Sequence, residues 1–396
     1  MAELKRKAIS LFSGAGGMDI GIKKAGFEVL TCVELDEHAC STLRTNIESQ
    51  IEKTQVIEGD IKAVNPNDIL KTHGLKKGEV DLLFGGPPCQ SFSQIGKQLH
   101  LKDERGLLLF EMVRFAKEVE PKVILVEQVK GLLTAKGDED RRGEVFETFT
   151  NDLKNLGYTI KWQVINASYY GVAQARERVF VVAFKGDENP FNFPLPTHGA
   201  DIDQLIPTLP IKTVGDAIKG LGKPEKKNKD GQKRTDNHID ATPAGDRNRI
   251  VGVPEGDHLS AQKHLPPEQI GKLSKKDTTK YLRLSRTRPS NTLRCGEIFF
   301  HPLEDRYLTP REYMRIHGYP DSYVLMGPVR GRSGSVRNLD QHRQVANSVP
   351  PPVAEVLARE IERTLSCQES LRSSDTKPKT KVRKPLNTEN NADVPL

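Results

Sequence analysis

Cysteine is scarce in this sequence, with five residues in a chain of 396. The five stand at positions 32, 40, 89, 295 and 367, and none forms a Cys-x-x-Cys pair or lies near a cluster of histidines. This pattern argues against a disulfide framework and against a structural zinc site, so we expect no metal. It also indicates a reducing compartment.

Long apolar runs are absent as well. No stretch is long enough to span a bilayer, and the charged start at residues 1–7 has no signal-peptide core. We therefore expect a cytoplasmic protein without a membrane partner. Aromatic residues make up only 6% of the chain and hydrophobic residues 36%, which predicts that part of the chain is a solvated insert or tail.

Positive charge is in excess, with a formal net charge of +7 and a pI near 9.0. The basic residues gather in the middle of the chain and near its C-terminus. A polyanionic partner such as nucleic acid fits this distribution, although a basic pI is weak evidence when it stands alone.

A glycine-rich turn follows the first predicted strand. Residues 8–12 are apolar except for Ser10, the turn Ser13-Gly14-Ala15-Gly16-Gly17 comes next, and a helix is expected to continue to about Ala25. Glycine permits a tight turn and the close approach of a ligand, while a helix N-terminus offers N–H donors. The motif by itself is equally typical of a plain turn.

Carboxylates follow the next two predicted strands. Glu34 ends the strand at residues 27–33, twenty residues after Gly14, a spacing close to that of the acid that binds ribose hydroxyls in dinucleotide folds. Asp60 follows the strand at residues 55–58. The alternative is that both are loop carboxylates or helix N-caps.

Cys89 follows a sharp turn at the end of another buried strand. The apolar run at residues 80–84 leads into Gly85-Gly86-Pro87-Pro88, which forces the chain to turn. A cysteine on such an elbow, followed by a loop rich in Ser, Gly and Lys as far as Gly106, is a candidate nucleophile under a mobile lid. The alternative is a buried cysteine acting as a small apolar residue.

A fifth strand, at residues 123–126, ends in Glu127. A glycine-rich turn, a carboxylate or a cysteine thus follows each of five strands at its carboxyl end, where open α/β sheets bind ligands. Two more strands, at residues 159–166 and 179–184, flank the segment that contains Gln174, Arg176 and Arg178. The pattern predicts an α/β protein.

Composition divides the chain into four parts. We predict a catalytic and cofactor-binding domain at 1–185, a loop-rich insert at 186–300, a segment returning to the first domain at 301–366, and a disordered basic tail at 367–396. In the third part, Thr309 should cap a helix that begins at Pro310, with Glu312 completing a capping box. A final helix should run from the prolines at 350–352 to about Leu365.

Five motifs, in order, resemble those of the bacterial-type DNA cytosine-5 methyltransferases. They are Phe12-Ser13-Gly14-Ala15-Gly16-Gly17, Gly86-Pro87-Pro88-Cys89-Gln90, Glu127-Gln128-Val129, Gln174-Ala175-Arg176-Glu177-Arg178 and Gln344-Val345-Ala346-Asn347-Ser348-Val349-Pro350. The resemblance spans about residues 8 to 365. It implies a Rossmann-like methyltransferase sheet with a smaller inserted target-recognition domain, and S-adenosylmethionine as the methyl donor.

The chemistry of cytosine agrees with the resemblance. C5 of cytosine is a poor nucleophile, so an enzyme must first add a nucleophile such as a thiolate at C6. Because C5 and C6 are stacked in a duplex, the base must be flipped out. We therefore expect double-stranded DNA as the substrate, with the insert supplying phosphate contacts and base readout; the alternative is an insert without a DNA role.

The resemblance also implies roles for individual residues. The expected catalytic residues are Cys89 attacking C6, Glu127 at N3, Arg178 at O2 and Arg176 ordering the site; the arginines could instead be surface ion-pair partners, and Glu127 could pair with Lys130. The expected cofactor-binding residues are Phe12, Ser13, Gly14, Gly16, Gly17, Glu34, Asp60, Ile61, Pro87, Asn347 and Val349. The expected DNA contacts are Ser93, Arg105 and Gln174.

Three positions depart from the family pattern. Gln128 stands where Asn is usual, Ala346 where Gly is usual, and Ala173 where Pro often precedes the glutamine. None removes a reacting group, so we expect activity. The longer side chain of Gln128 is expected to re-make the hydrogen bonds that brace the elbow.

Three other functions compete with this one. A tRNA methyltransferase on the same fold would have a shorter insert and Pro after the elbow glutamine, where this chain has Ser91. A silent DNA-binding relative would have no need for Cys89, Glu127 and both arginines. In a nicotinamide oxidoreductase, Cys89 would have no role in the reaction. Pairing with a restriction endonuclease and a monomeric state are expectations from the bacterial-type architecture.

Overall fold

The computed structural model describes residues 5–48, 53–88, 108–137, 139–199, 208–226, 236–262, 266–270, 281–331 and 338–375. Its strands are β1 Arg6–Leu11, β2 Phe27–Glu34, β3 Gln55–Glu58, β4 Leu82–Gly85, β5 Val123–Val129, β6 Tyr158–Asn166, β7 Glu177–Lys185, β8 Glu225–Lys226 and β9 Ile239–Asp240. Its helices are α1 Gly17–Lys24, α2 Glu37–Glu48, α3 Pro66–Thr72, α4 Leu108–Val119, α5 Glu144–Asn155, α6 Val214–Ile218, α7 Ala244–Ile250, α8 Pro267–Ile270, α9 Pro310–His317, α10 Gln341–Asn347 and α11 Pro351–Asp375.

Seven strands form the central sheet, in the order β3-β2-β1-β4-β5-β7-β6. The first five are parallel, whereas β7 runs antiparallel to both β5 and β6. The predicted α/β class and Rossmann-like sheet are therefore confirmed. β8 and β9 form a separate parallel pair.

Helices cover both faces of the sheet, because the parallel strands are apolar on both sides. On one face, Ile22 of α1, Leu43 of α2 and Leu357 of α11 lie in one apolar cluster with the strands. On the other face, Ile69 of α3, Met112 of α4 and Phe149 of α5 lie in a second cluster. This three-layer arrangement fixes the carboxyl ends of the five parallel strands at one edge.

The C-terminal helix is longer than the sequence predicted. The expected disorder from residue 367 is wrong for residues 367–375, which continue α11 to Asp375. Arg6 at the start of β1 donates to Ser366 at 2.8 Å and to Glu369 at 2.9 Å, and Lys122 lies 3.4 Å from Glu369. These contacts between distant parts of the chain hold the added turns, whereas the rest of the predicted tail, 376–396, lies outside the described residues.

The capping box predicted at the start of α9 is confirmed. Thr309 accepts from the backbone N–H of Glu312, and the Glu312 side chain accepts from the backbone N–H of Thr309, with Pro310 in the first turn. An apolar cluster joins Tyr313 and Met314 of α9 to Val214 of α6 and Val345 of α10. Within the described residues, no helix is long and apolar enough to cross a membrane.

Candidate active site

The glycine-rich turn after β1 is pressed against the C-terminal part of the chain. A Cβ on Gly17 would lie 2.4 Å from the carbonyl oxygen of Val349, and one on Gly16 would lie 2.6 Å from the hydroxyl oxygen of Tyr323. Gly16 also has a positive φ of 73°. Only glycine fits at these two positions, so the turn packs directly against the C-terminal part of the chain. Phe12 enters the turn with a φ of 54°, an uncommon conformation for a non-glycine residue.

Glu34, at the end of β2, faces this turn. Its carboxylate accepts hydrogen bonds from three backbone N–H groups, those of Gly14 at 2.7 Å, Leu35 at 2.9 Å and Asp36 at 2.9 Å. Burial raises the pKa of Glu34, and the three N–H donors oppose that rise. A carboxylate fixed in this way beside a glycine-rich turn can accept hydrogen bonds from the hydroxyls of a ribose.

Asp60 follows β3 and caps a 3₁₀ turn at Ile61–Ala63. Its carboxylate accepts from the backbone N–H of Lys62 at 3.0 Å, so the N-cap role left open by the sequence is what the structure shows. The side chain is nevertheless exposed, whereas Ile61 is buried under the sheet. Asp60 can therefore both cap the turn and contact a ligand at this edge.

The proline elbow after β4 is held by its neighbours on both sides. The Gln128 side-chain amide donates to the carbonyl oxygen of Pro87 at 2.7 Å. A Cβ on Gly86 would lie 3.4 Å from Glu127 Oε2 and 3.8 Å from Val349 Cγ2. The elbow thus meets in space the acidic motif, Glu127-Gln128-Val129, and the closing motif at residues 344–350. Cys89, Ser93 and Arg105, which the sequence places on or after this elbow, lie outside the described residues.

Glu127 and Arg178 form an ion pair at the carboxyl end of β5. Glu127 Oε1 lies 3.0 Å from Arg178 Nε, and the two side chains are 11% and 17% exposed. Their geometry is not that of a hydrogen bond, and both atoms lack a hydrogen-bond partner within the described part of the chain. The two buried atoms therefore face each other as an ion pair whose hydrogen-bonding capacity is not used, which is an unusual arrangement for buried polar groups. A cavity of about 400 Å³ opens beside Arg178 and is lined also by Lys130 and Thr292.

Arg176 points away from this pair, into the protein. Its guanidinium donates to the carbonyl oxygens of Ala346 at 3.0 Å and Ser348 at 3.2 Å. Burial, with a smaller contribution from Arg178, lowers the pKa of Arg176 to about 9. Arg176 therefore ties the segment before β7 to the closing motif, and Ala346 contributes a backbone acceptor despite its added methyl group.

Gln174 is completely buried. Its amide nitrogen lies 2.9 Å from His317 Nδ1, and its oxygen accepts from the backbone N–H of Leu293 at 3.1 Å. His317 Nε2 in turn donates to the carbonyl oxygen of Ser348 at 3.0 Å. A DNA contact by Gln174 would require it to leave these partners, so the structure assigns it a positioning contact inside the protein.

Asn347 is the last residue of α10 and is exposed. The Cys295 thiol donates to its side-chain oxygen. Sequence reasoning missed Cys295, Tyr323 and His317 because they reach the site only through long-range packing. In the described ranges, no group of three or more His, Cys, Asp or Glu residues could hold a metal ion.

Comparisons with known proteins agree with this geometry. A family model described as C-5 cytosine-specific DNA methylase matches residues 6–363. The chain is 35% identical over 356 residues to Type II methyltransferase M.Eco47II of Escherichia coli, covering 86% of this chain and 75% of that protein. It is 32% identical over 362 residues to Type II methyltransferase M.NgoFVII of Neisseria gonorrhoeae, covering 90% and 86%.

Solved structures share the fold at lower identity. A prophage-encoded protein of E. coli, described as a DNA modification methyltransferase, superposes with a TM-score of 0.66 at 23% identity and covers 91% of this chain and 99% of its own. The S. pombe Dnmt2 methyltransferase gives a TM-score of 0.55 at 15% identity, covering 92% and 100%. At these identities the similarity concerns the fold.

Proposed function

Because the chain belongs to the C-5 cytosine-specific DNA methylase family, we propose that it methylates a cytosine within one specific double-stranded DNA sequence, with Cys89 as its nucleophile. It is a DNA cytosine-5-methyltransferase, and its family takes the methyl group from S-adenosylmethionine. The sequence specificity, the role of each residue and the biological setting are the parts that we propose.

The pair formed by Glu127 and Arg178 carries this proposal. The two atoms of this ion pair, a carboxylate oxygen and a guanidinium nitrogen, make no hydrogen bond in the described part of the chain, and the Glu127 carboxylate lies beside the proline elbow that precedes Cys89. A flipped-out cytosine presents N3 and O2 on one edge, and both need a hydrogen-bond donor when the ring is attacked. Glu127, when protonated, supplies the donor at N3, and Arg178 supplies the donor at O2.

The covalent step requires a thiolate. The Cys89 thiolate adds to C6 and the C5–C6 double bond breaks; as N3 gains a proton, a C4–C5 double bond forms beside the C4 amino group, and this enamine makes C5 nucleophilic. S-adenosylmethionine would supply an electrophilic methyl group to C5, with S-adenosylhomocysteine as the leaving group. Water takes the C5 proton as a base, and elimination of the Cys89 thiolate restores the C5–C6 double bond.

The crevice formed by the ends of β1, β2 and β3 fits S-adenosylmethionine. The backbone of the turn at Ser13-Gly14-Ala15-Gly16-Gly17 would lie next to the methionine part of S-adenosylmethionine, and Phe12 immediately precedes this turn. Glu34, held by three N–H donors, accepts from the ribose hydroxyls. Asp60 and Ile61 contact the adenine, and Pro87, Asn347 and Val349 close the pocket.

We propose that residues 186–300 read the DNA sequence and that Ser93 and Arg105 contact the substrate. Arg176 and Gln174 hold the closing motif and α9 in place around the site. The named relatives are Type II methyltransferases, and on that basis we propose that this enzyme is the methylase of a restriction-modification pair. We also propose that it acts as a monomer, as expected for enzymes of this architecture.

Methyl transfer with identification of the product tests this proposal. Purified protein is incubated with radiolabelled S-adenosylmethionine and either unmethylated duplex DNA or tRNA. We expect label in DNA alone, in 5-methylcytosine, and at one short sequence when the product is mapped by bisulfite sequencing. Label in tRNA would favour an RNA methyltransferase, and binding of S-adenosylhomocysteine without transfer to any nucleic acid would favour a silent relative.

A further inference from the structure

A second cavity, of about 510 Å³, lies beside Cys295. One wall consists of residues 241, 243 and 295–298, which belong to the predicted insert. The opposite wall consists of residues 330, 331, 340 and 342, which follow α9. The cavity therefore lies between the insert and the segment that returns to the catalytic domain, and Cys295 connects it to the candidate active site through Asn347.

Arg330 presents an unused donor in this cavity. Its guanidinium lies over the ring of Tyr307, with 4.7 Å between the guanidinium carbon and the ring centroid. Its Nη1 atom is buried and has no hydrogen-bond partner among the residues that the structure describes. A buried N–H without an acceptor is costly, so Arg330 is suited to donate to an acceptor that enters the cavity.

The carboxylates on the cavity wall are already engaged. Asp340 accepts from the backbone N–H groups of Arg343 at 2.9 Å and Gly331 at 2.8 Å, and from the Arg343 side chain at 3.1 Å. Glu297 accepts from the backbone N–H of Tyr281. Arg330 is the arginine that lines the cavity, and the charge of Asp340 is balanced by Arg343, whose Nε lies 3.1 Å from the carboxylate.

We propose that this cavity binds one phosphate of the substrate DNA and that Arg330 Nη1 donates to it. The proposal rests on the DNA methyltransferase function proposed above. Guanine read in the major groove takes two donors from one arginine, whereas a single open donor suits a phosphate oxygen. The DNA-binding surface then extends beyond residues 186–300 to a residue that follows α9, and Arg330 sets the position of the duplex rather than its sequence.

The salt dependence of DNA binding tests this assignment. The variants are Arg330→Ala, Arg330→Lys and, as a matched control, Arg359→Ala, which removes the same charge from an exposed site on α11. Each is titrated over a range of salt with a short duplex that carries the site methylated by the wild type. A mixed-sequence duplex replaces it if the wild type methylates no DNA. Binding of S-adenosylhomocysteine and the melting temperature report whether each variant is folded.

The slope of log K against log salt is negative, and we expect Arg330→Ala to make it less negative by about 0.9, the value for one phosphate contact. Arg359→Ala should keep the wild-type slope, Arg330→Lys should recover much of it, and the set of methylated sequences should not change. An Arg330→Ala slope equal to that of the control would overturn the proposal. Relaxed specificity at one base pair would overturn it too, since it would mean base readout. If the slopes of the wild type and Arg330→Ala differ as expected but the wild type transfers no methyl group, the proposed function is refuted. The phosphate contact is then still supported.

Discussion

Gln128 donates its side-chain amide to the carbonyl oxygen of Pro87 across 2.7 Å, which links β5 to the elbow that precedes Cys89. Its side-chain oxygen accepts from the backbone N–H of Val129 at 3.2 Å. The family pattern has the shorter asparagine here, and the longer side chain of glutamine makes the bracing bond in this chain. This departure from the family pattern is therefore compensated.

Replacing Gln128 tests whether this brace positions the elbow. Gln128→Ala leaves the Pro87 carbonyl oxygen buried without its donor, which costs about 1–3 kcal/mol of unfolding free energy. Gln128→Asn should fall between the wild type and Gln128→Ala. We expect a loss of kcat for methyl transfer with little change in the affinity for S-adenosylhomocysteine. Wild-type kcat in Gln128→Ala would show that the elbow does not depend on this bond.

The close packing of Gly17 gives a second prediction. In Gly17→Ala the new methyl group would overlap the carbonyl oxygen of Val349 and the hydroxyl of Tyr319, at 2.4 and 2.8 Å. The strain should cost about 1–3 kcal/mol and should weaken binding of S-adenosylhomocysteine, measured by calorimetry. Gly245→Ala, in α7 with nothing within 4 Å of the new atom, is the control and should bind normally.

The buried pair between Arg306 and Glu312 predicts sensitivity to acid. Two hydrogen bonds of 2.8 and 2.7 Å join them. Burial alone would raise the pKa of Glu312, but the bonds and charge of Arg306 outweigh it and hold that pKa below the ordinary 4.5. Because the folded-state pKa is depressed, the stabilisation is present above pH 4.5 and is lost as the pH falls through the folded-state pKa.

Urea unfolding over a pH series measures this effect. The difference in unfolding free energy between the wild type and Glu312→Gln should shrink as the pH falls below 4.5. Arg306→Met, which leaves Glu312 buried without its partner, should cost about 3–5 kcal/mol at neutral pH. Arg363→Ala breaks an exposed pair with Glu360 and should cost less than about 1 kcal/mol. Equal losses in the two arginine variants would contradict the account.

Replacing Glu369 tests whether its ion pairs stabilise the last turns of α11. It pairs with Arg6 and Lys122 but is about half exposed, so its ion pairs are screened by water and salt. Glu369→Gln should lower the unfolding free energy by less than about 1 kcal/mol at low salt and by less still at high salt. A loss that does not change with salt would indicate a packing role instead of an electrostatic one.

Most of the fold and the placement of its motifs could be predicted from local sequence. The apolar strands, with Glu34, Asp60 and Glu127 at or after their ends, are local signals, and parallel strands bring those ends to one edge. The capping box at Thr309 is local as well. These features follow from residue type and spacing alone.

The rest depends on contacts between distant parts of the chain. Gln174 is buried because α9 brings His317 to it, and Cys295 reaches Asn347 only when distant parts of the chain pack together. Arg330 lies in no recognised motif, and its open donor exists because Tyr307 holds its guanidinium in place. The spacing of apolar and polar residues along the sequence does not predict such contacts.

The central claim is that Cys89 attacks C6 of a flipped-out cytosine. Duplex DNA that carries 5-fluorocytosine at the methylated site cannot lose its C5 substituent, so the attacking enzyme stays attached to the DNA. With S-adenosylmethionine present, we predict a denaturation-stable protein–DNA adduct for the wild type and none for Cys89→Ser, while Cys295→Ser still forms it. An adduct that survives in Cys89→Ser, or no adduct in a wild type that methylates DNA, would contradict the account.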